Sequence, residues 1–93
     1  MVIGVARLDI LIPGAHSLKD RRRVLKSLKD QLRSRFNCSV AEIGDKEKWA
    51  RAQIAIAVVG DQSRFVNSQL DTMISFVANK PGAELLSVNL ELL

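Results

Sequence analysis

The chain has 93 residues, 47% of them hydrophobic, which suffices for one packed core and leaves no room for a second domain. Fourteen basic residues face ten acidic ones for a net charge of +4, and the one cysteine, Cys38, permits no intrachain disulfide. With a single histidine as well, a zinc site or an iron–sulfur cluster is excluded for a monomer, and no cofactor is expected.

Residues 2–12 alternate as a strand does. Val2, Ala6, Leu8, Ile10 and Ile12 share one face, and Ile3, Val5, Arg7, Asp9 and Leu11 share the other. This N-terminal run has no basic leader, and Arg7 and Asp9 interrupt it, so it does not read as a signal peptide. No stretch approaches the length of a membrane span. A soluble protein of the reducing cytoplasm is expected.

Pro13-Gly14 breaks the strand, and Ser17 followed by Asp20 reads as a capping-box variant. From residue 18 to residue 36 the apolar period lengthens to that of a helix. Leu18, Leu25, Leu28, Leu32 and Phe36 form its stripe, Val24 its edge, and Asn37 its stop. A second strand is predicted over 39–44, and a polar turn comes next at Asp45-Lys46-Glu47-Lys48. A third strand over 51–60 places Ala52, Ile54, Ile56 and Val58 on one face. Asp61 or Ser63 caps a second helix with Val66, Leu70, Met73, Ile74 and Val77 on its apolar side, and Asn79-Lys80-Pro81-Gly82 stops it. The last strand, 84–92, shows Leu86, Val88, Leu90 and Leu92 on one face.

This order, β-α-β-β-α-β, predicts an α+β, ferredoxin-like sandwich over residues 1–93, read as a single domain. Two right-handed crossovers place both helices on one face of a four-stranded antiparallel sheet and leave the other face open.

Charge is concentrated in the first helix. Between Lys19 and Arg35 there are eight basic residues and two acidic ones, so that segment carries +6 and the rest of the chain −2. Arg22, Lys26, Lys29 and Arg33 recur at i, i+4, i+7 and i+11 and form a line of cations along the helix, widened at its start by Lys19, Arg21 and Arg23. Like charges at i, i+4 repel, and cations in the first turn oppose the helix dipole. A phosphate backbone would reverse both penalties. A plain solvated face has the same composition, and an acidic protein surface is a third, lesser alternative.

Other features are weaker. The loop Pro13-Gly14-Ala15-His16-Ser17 leads into the basic helix and could hold an anion, but it matches no phosphate-binding motif, and a plain turn explains it better. It also lacks the arginine of an acylphosphatase signature. Asp9, Glu42 and Asp45 could approach one another if their strands pair, yet scattered carboxylates are usually solvated edges. No serine or cysteine stands in a catalytic context, so the chain reads as a non-enzyme without a small-molecule substrate. Trp49 either closes a corner of the core or stacks on a base beside Lys46, Lys48 and Arg51. The open sheet face carries no aromatic residue, which removes the usual single-strand stacking mode. Ile3, Val5, Ala55, Ala57 and Val59 instead make a small apolar patch there, suited to a second copy in a homodimer or to another partner.

The run from Ser17-Leu18-Lys19-Asp20-Arg21-Arg22-Arg23-Val24-Leu25-Lys26-Ser27-Leu28, with Arg35-Phe36-Asn37, Val40-Ala41-Glu42, Trp49-Arg51-Ala52 and Ala57-Val58-Val59-Gly60, resembles the bacterial YlxP-like family of unknown function over essentially the whole chain. The resemblance implies a ferredoxin-like fold in a stand-alone bacterial protein. It supplies no catalytic residues. Because members are often encoded beside translation-initiation and ribosome-maturation factors, it implies RNA or the ribosome as a partner.

Overall fold

The computed structural model describes residues 1–44 and 50–93. Its elements run β1 (Val2–Leu11), α1 (Leu18–Arg35), β2 (Ser39–Ile43), β3 (Arg51–Gly60), α2 (Ser63–Ala78) and β4 (Glu84–Leu92). The strands form one antiparallel sheet in the order β2-β3-β1-β4, the ferredoxin-like arrangement. The turn predicted at 45–48 and the two alternatives for Trp49 lie outside the described residues.

Alternation decides which side of each strand the helices cover. On β1, Ala6, Leu8 and Ile10 are fully buried, and on β3 the same is true of Ile54 and Ile56, with Ala52 and Val58 nearly so. These pair directly across the ladder, Leu8 with Ile54 and Ala6 with Ile56, so one continuous apolar sheet face is roofed by the helices. From above, α1 contributes Leu25, Leu28 and Leu32, and α2 contributes Val66, Leu70, Met73 and Val77. Gly4 lets α2 settle on β1, because a Cβ at that position would overlap the side chains of Val66 and Leu70. At the far end Phe36 meets Phe76 edge to face, 5.8 Å between ring centroids, with the Arg35 guanidinium 5.1 Å over Phe76.

The helix starts differ. Ser17 caps α1, its hydroxyl accepting from the Asp20 N–H at 3.1 Å, while the Asp20 carboxylate accepts from the His16 N–H, one residue earlier than a standard capping box. At α2 the N-cap is Gln62, with no side-chain hydrogen bond, instead of Asp61 or Ser63. At its other end α1 stops at Arg35, with Phe36 as C-cap rather than as a helical residue.

β4 departs from expectation in its covering. Leu8 pairs with Val88, Ala6 with Leu90 and Gly4 with Leu92, so those side chains do share the helix side of the sheet. The helices do not reach far enough to bury them. Leu86, Val88, Leu90 and Leu92 remain 41–46% exposed along the sheet edge. A register shift opposite Asp9 and Ile10 brings Leu85, rather than Leu86, in line with Ile10 and into contact with the core.

Candidate nucleic-acid interface

The helical period of α1 carries two rows that run side by side. Arg21, Leu25, Leu28 and Leu32 form the buried row. Arg22, Lys26, Lys29 and Arg33 each stand one residue later, about 100° round the helix, on its flank. Arg21 therefore stands where a leucine would, and it is 1% exposed. Its Nε donates to the Arg51 carbonyl at 3.1 Å, and its Nη2 donates to the Glu42 carboxylate in an ion pair. This corrects the sequence expectation for Arg21: a guanidinium held inside the sandwich cannot meet a phosphate. Its signal was present in the sequence, since position 21 continues the row of Leu25, Leu28 and Leu32, while Glu42 comes two residues after Val40 on the helix side of β2.

The remaining predicted cations divide into paired and unpaired. Lys26 donates to Asp30 at 2.7 Å, with the lysine side chain 78% exposed, so the contact is a solvated one. Arg33 also reaches Asp30, at 3.7 Å, and donates through Nη2 to the Val40 carbonyl at 2.9 Å, which pins the end of α1 to β2. Asp30 is accordingly held below the ordinary aspartate range, first by its hydrogen bond from Lys26 and then by the nearby cations. Lys19, Arg22, Arg23 and Lys29 have no carboxylate partner among the described residues. Lys19, Arg22 and Arg23 are exposed and Lys29 is half-buried. Of the two acids of the helix, Asp30 is paired with Lys26 and also feels Lys29, and Asp20 accepts the His16 N–H, so two carboxylates stand against eight cations between positions 19 and 35.

The preceding loop is a turn, closed by the Ala15 N–H on the Ile12 carbonyl at 3.1 Å. The Asp20 carboxylate already occupies the helix start, which makes that spot unfavourable for an anion.

Asp9 and Glu42 do not come together. Asp9 lies on the open face, accepting from Gln53 on β3 and Ser87 on β4, both at 2.6 Å, whereas Glu42 lies on the helix side with Arg21. Asp45 is outside the described residues. The bonds from Ser87 and Gln53 hold the Asp9 carboxyl below its usual range. No cluster of three or more His, Cys, Asp or Glu residues suited to a metal occurs among the described residues. Cys38 is half-buried, with burial pushing its thiol pKa up, a setting that disfavours the reactive thiolate.

On the open face the register brings the predicted patch together: Ile3 pairs with Val59, Val5 with Ala57, and Ala55 lies two residues further along β3. Only Val59, at 64%, is well exposed; the other four are half-buried by their neighbours in the sheet. The Arg7–Glu91 pair borders the patch.

The fold and the helix surface define a small ferredoxin-like α+β protein with one cationic helix. The family described as Protein of unknown function (DUF503) matches residues 3–90, and this chain belongs to it. The chain is also similar to the uncharacterized protein YlxP of Bacillus subtilis (strain 168), 32% identical over 83 residues that span 89% of this chain and 90% of that protein. No helix among the described residues is long and apolar enough to cross a membrane.

Proposed function

We propose that this chain is a non-catalytic cytoplasmic protein that binds RNA, in the setting of the ribosome, through the outer face of α1. Lys19, Arg22, Arg23 and Lys29 contact phosphates, and Lys26 joins them by exchanging Asp30 for the ligand. The observation that carries this reading is the set of four cations outside any ion pair among the described residues, on a helix with only two acids, one of them bound to Lys26. Their mutual repulsion costs the free protein a few tenths of a kcal/mol per pair, a cost that a polyanion removes. Arg33 contributes less than its place in the row suggests, because its guanidinium is committed to Val40 and Asp30. The sheet's lack of exposed aromatics fits a mode that reads the backbone and its shape rather than stacked bases.

The test is binding to purified ribosomal subunits and to total RNA over a salt series. Four to five phosphate contacts give a log–log slope of roughly −3 to −4. The variant Arg22→Glu, Arg23→Glu, Lys26→Glu, checked for folding by circular dichroism, loses that binding. Absence of binding by the wild type at low salt, or a slope near zero, overturns the reading. Salt-sensitive binding to an acidic protein and not to RNA moves the same helix to a protein partner.

A further inference from the structure

We propose that β4 is the seam of a symmetric dimer, in which two copies pair β4 to β4 and join their sheets into one of eight strands. The strand lies at the sheet edge, with β1 on one side and, among the described residues, no strand on the other. The Ile3 N–H donates to the Leu93 carbonyl at 3.0 Å and the Leu93 N–H to the Ile3 carbonyl at 2.7 Å, which fixes the parity of the β1–β4 ladder. Counting back by twos along the register, Glu91, Asn89 and Ser87 turn their backbone groups to β1. Leu92, Leu90 and Val88, on the unshifted part of the ladder, turn theirs outward to the free edge. These are also the residues whose apolar side chains stand exposed on the helix side. One set of positions thus offers both the hydrogen-bonding edge and the apolar stripe beside it.

A second copy suits this surface because the strand complements itself. With the twofold axis at Leu90, Leu90 opposes Leu90, Val88 opposes Leu92 of the partner, and Leu92 opposes its Val88. Glu91 falls opposite Asn89, so no acid meets an acid. Three such pairs exchange about six backbone hydrogen bonds, and the leucines make same-face cross-strand contacts. β4 runs nine residues with neither proline nor lysine, and its register shift at Leu86 lies outside the stretch 88–92. The other edge, β2, has five residues. The stripe supplies roughly 300 Å² of apolar surface per copy, under half of the about 800 Å² per partner of a standard interface. The ladder and the flank of α2 must supply the rest, so dissociation in the range of about 10–100 µM is expected.

Sedimentation equilibrium of the full chain from about 5 to 500 µM tests this. The wild type passes from monomer to dimer across that range. Val88→Pro removes an outward N–H that β1 does not use, and Leu90→Lys places charges at the seam; both stay folded by circular dichroism and stay monomeric. Val59→Lys, on the open face, dimerises as the wild type does. A wild type monomeric at 500 µM overturns the proposal, as does a dimer that survives both β4 variants or one abolished by Val59→Lys alone. Should Val88→Pro fail to fold, Leu90→Lys decides the matter.

Discussion

A leucine at position 21 would continue the row of Leu25, Leu28 and Leu32; arginine is accommodated there because Glu42 and the Arg51 carbonyl meet it inside the sandwich. Taking a guanidinium out of water is costly, and only a satisfied partner set makes the position tolerable. Arg21→Met leaves the Glu42 carboxylate, 14% exposed, without its counter-ion. The expected cost is about 3 kcal/mol in urea unfolding, the lower end of the range for a broken buried pair because Glu42 retains some solvent. Adding Glu42→Leu restores much of that loss, since the lone charge goes too. A double variant no more stable than Arg21→Met would show that the burial of Arg21 serves something other than Glu42. Asp9 acts at the same scale on the opposite face, tying β3 to β4 across β1 through Gln53 and Ser87. Its folded pKa lies below its unfolded one, so its contribution is fully present above the unfolded value and is lost as pH falls through the folded value. Asp9→Asn therefore flattens the fall in stability below about pH 4, measured as urea midpoints from pH 6 to pH 2. An unchanged acid limb would mean that the two hydrogen bonds do not favour the ionised form.

At the scale of elements, the sequence was legible wherever a periodicity ran unbroken between strong stops. The strands 51–60 and 84–92 and the buried faces of β1, β3, α1 and α2 come from alternation or the helical period alone. What periodicity cannot say is how far a neighbouring layer extends. It put Leu86, Val88, Leu90 and Leu92 on the helix side but not under a helix, and the reach of α2 over β1 and β3 left them at the rim. Charge counting failed at Arg21 for a related reason. A cationic side chain was assigned to solvent by its type, although its angular position on the helix was that of the core. Gly4 was equally silent: as one small residue in a strand it looks like a weak point, yet the close seat of Val66 and Leu70 on it is a property of α2, far along the chain. The α2 cap illustrates the limit of local signals, since two good capping residues flank Gln62 and the chain uses neither for a side-chain bond.

For the molecule as a whole, the proposed seam and the proposed phosphate surface lie on opposite flanks, and their combination has a measurable consequence. Within one copy α1 leans toward β2, whereas α2 lies over β1 and β3 and reaches β4. Pairing β4 to β4 about a twofold axis normal to the sheet keeps all four helices on one face and sends the two copies of α1 to the outer flanks. With strands about 4.8 Å apart, the two cationic helices are then separated by roughly 30 Å. A long RNA can engage both, and a short one only one. The second contact is intramolecular and gains from effective concentration, so long-RNA affinity should exceed short-RNA affinity by more than the number of overlapping sites explains. Val88→Pro is the informative variant because it adds no charge. It should leave the affinity for an oligonucleotide of about eight residues unchanged and lower that for one of about forty by roughly tenfold or more, read by fluorescence anisotropy at fixed salt. The comparison between wild type and variant cancels the statistical factor, since both meet the same two RNAs. Equal losses on short and long RNA would mean that the substitution had damaged the α1 surface itself. An unchanged ratio of long to short affinity would mean that the two helices act singly, whatever the oligomeric state.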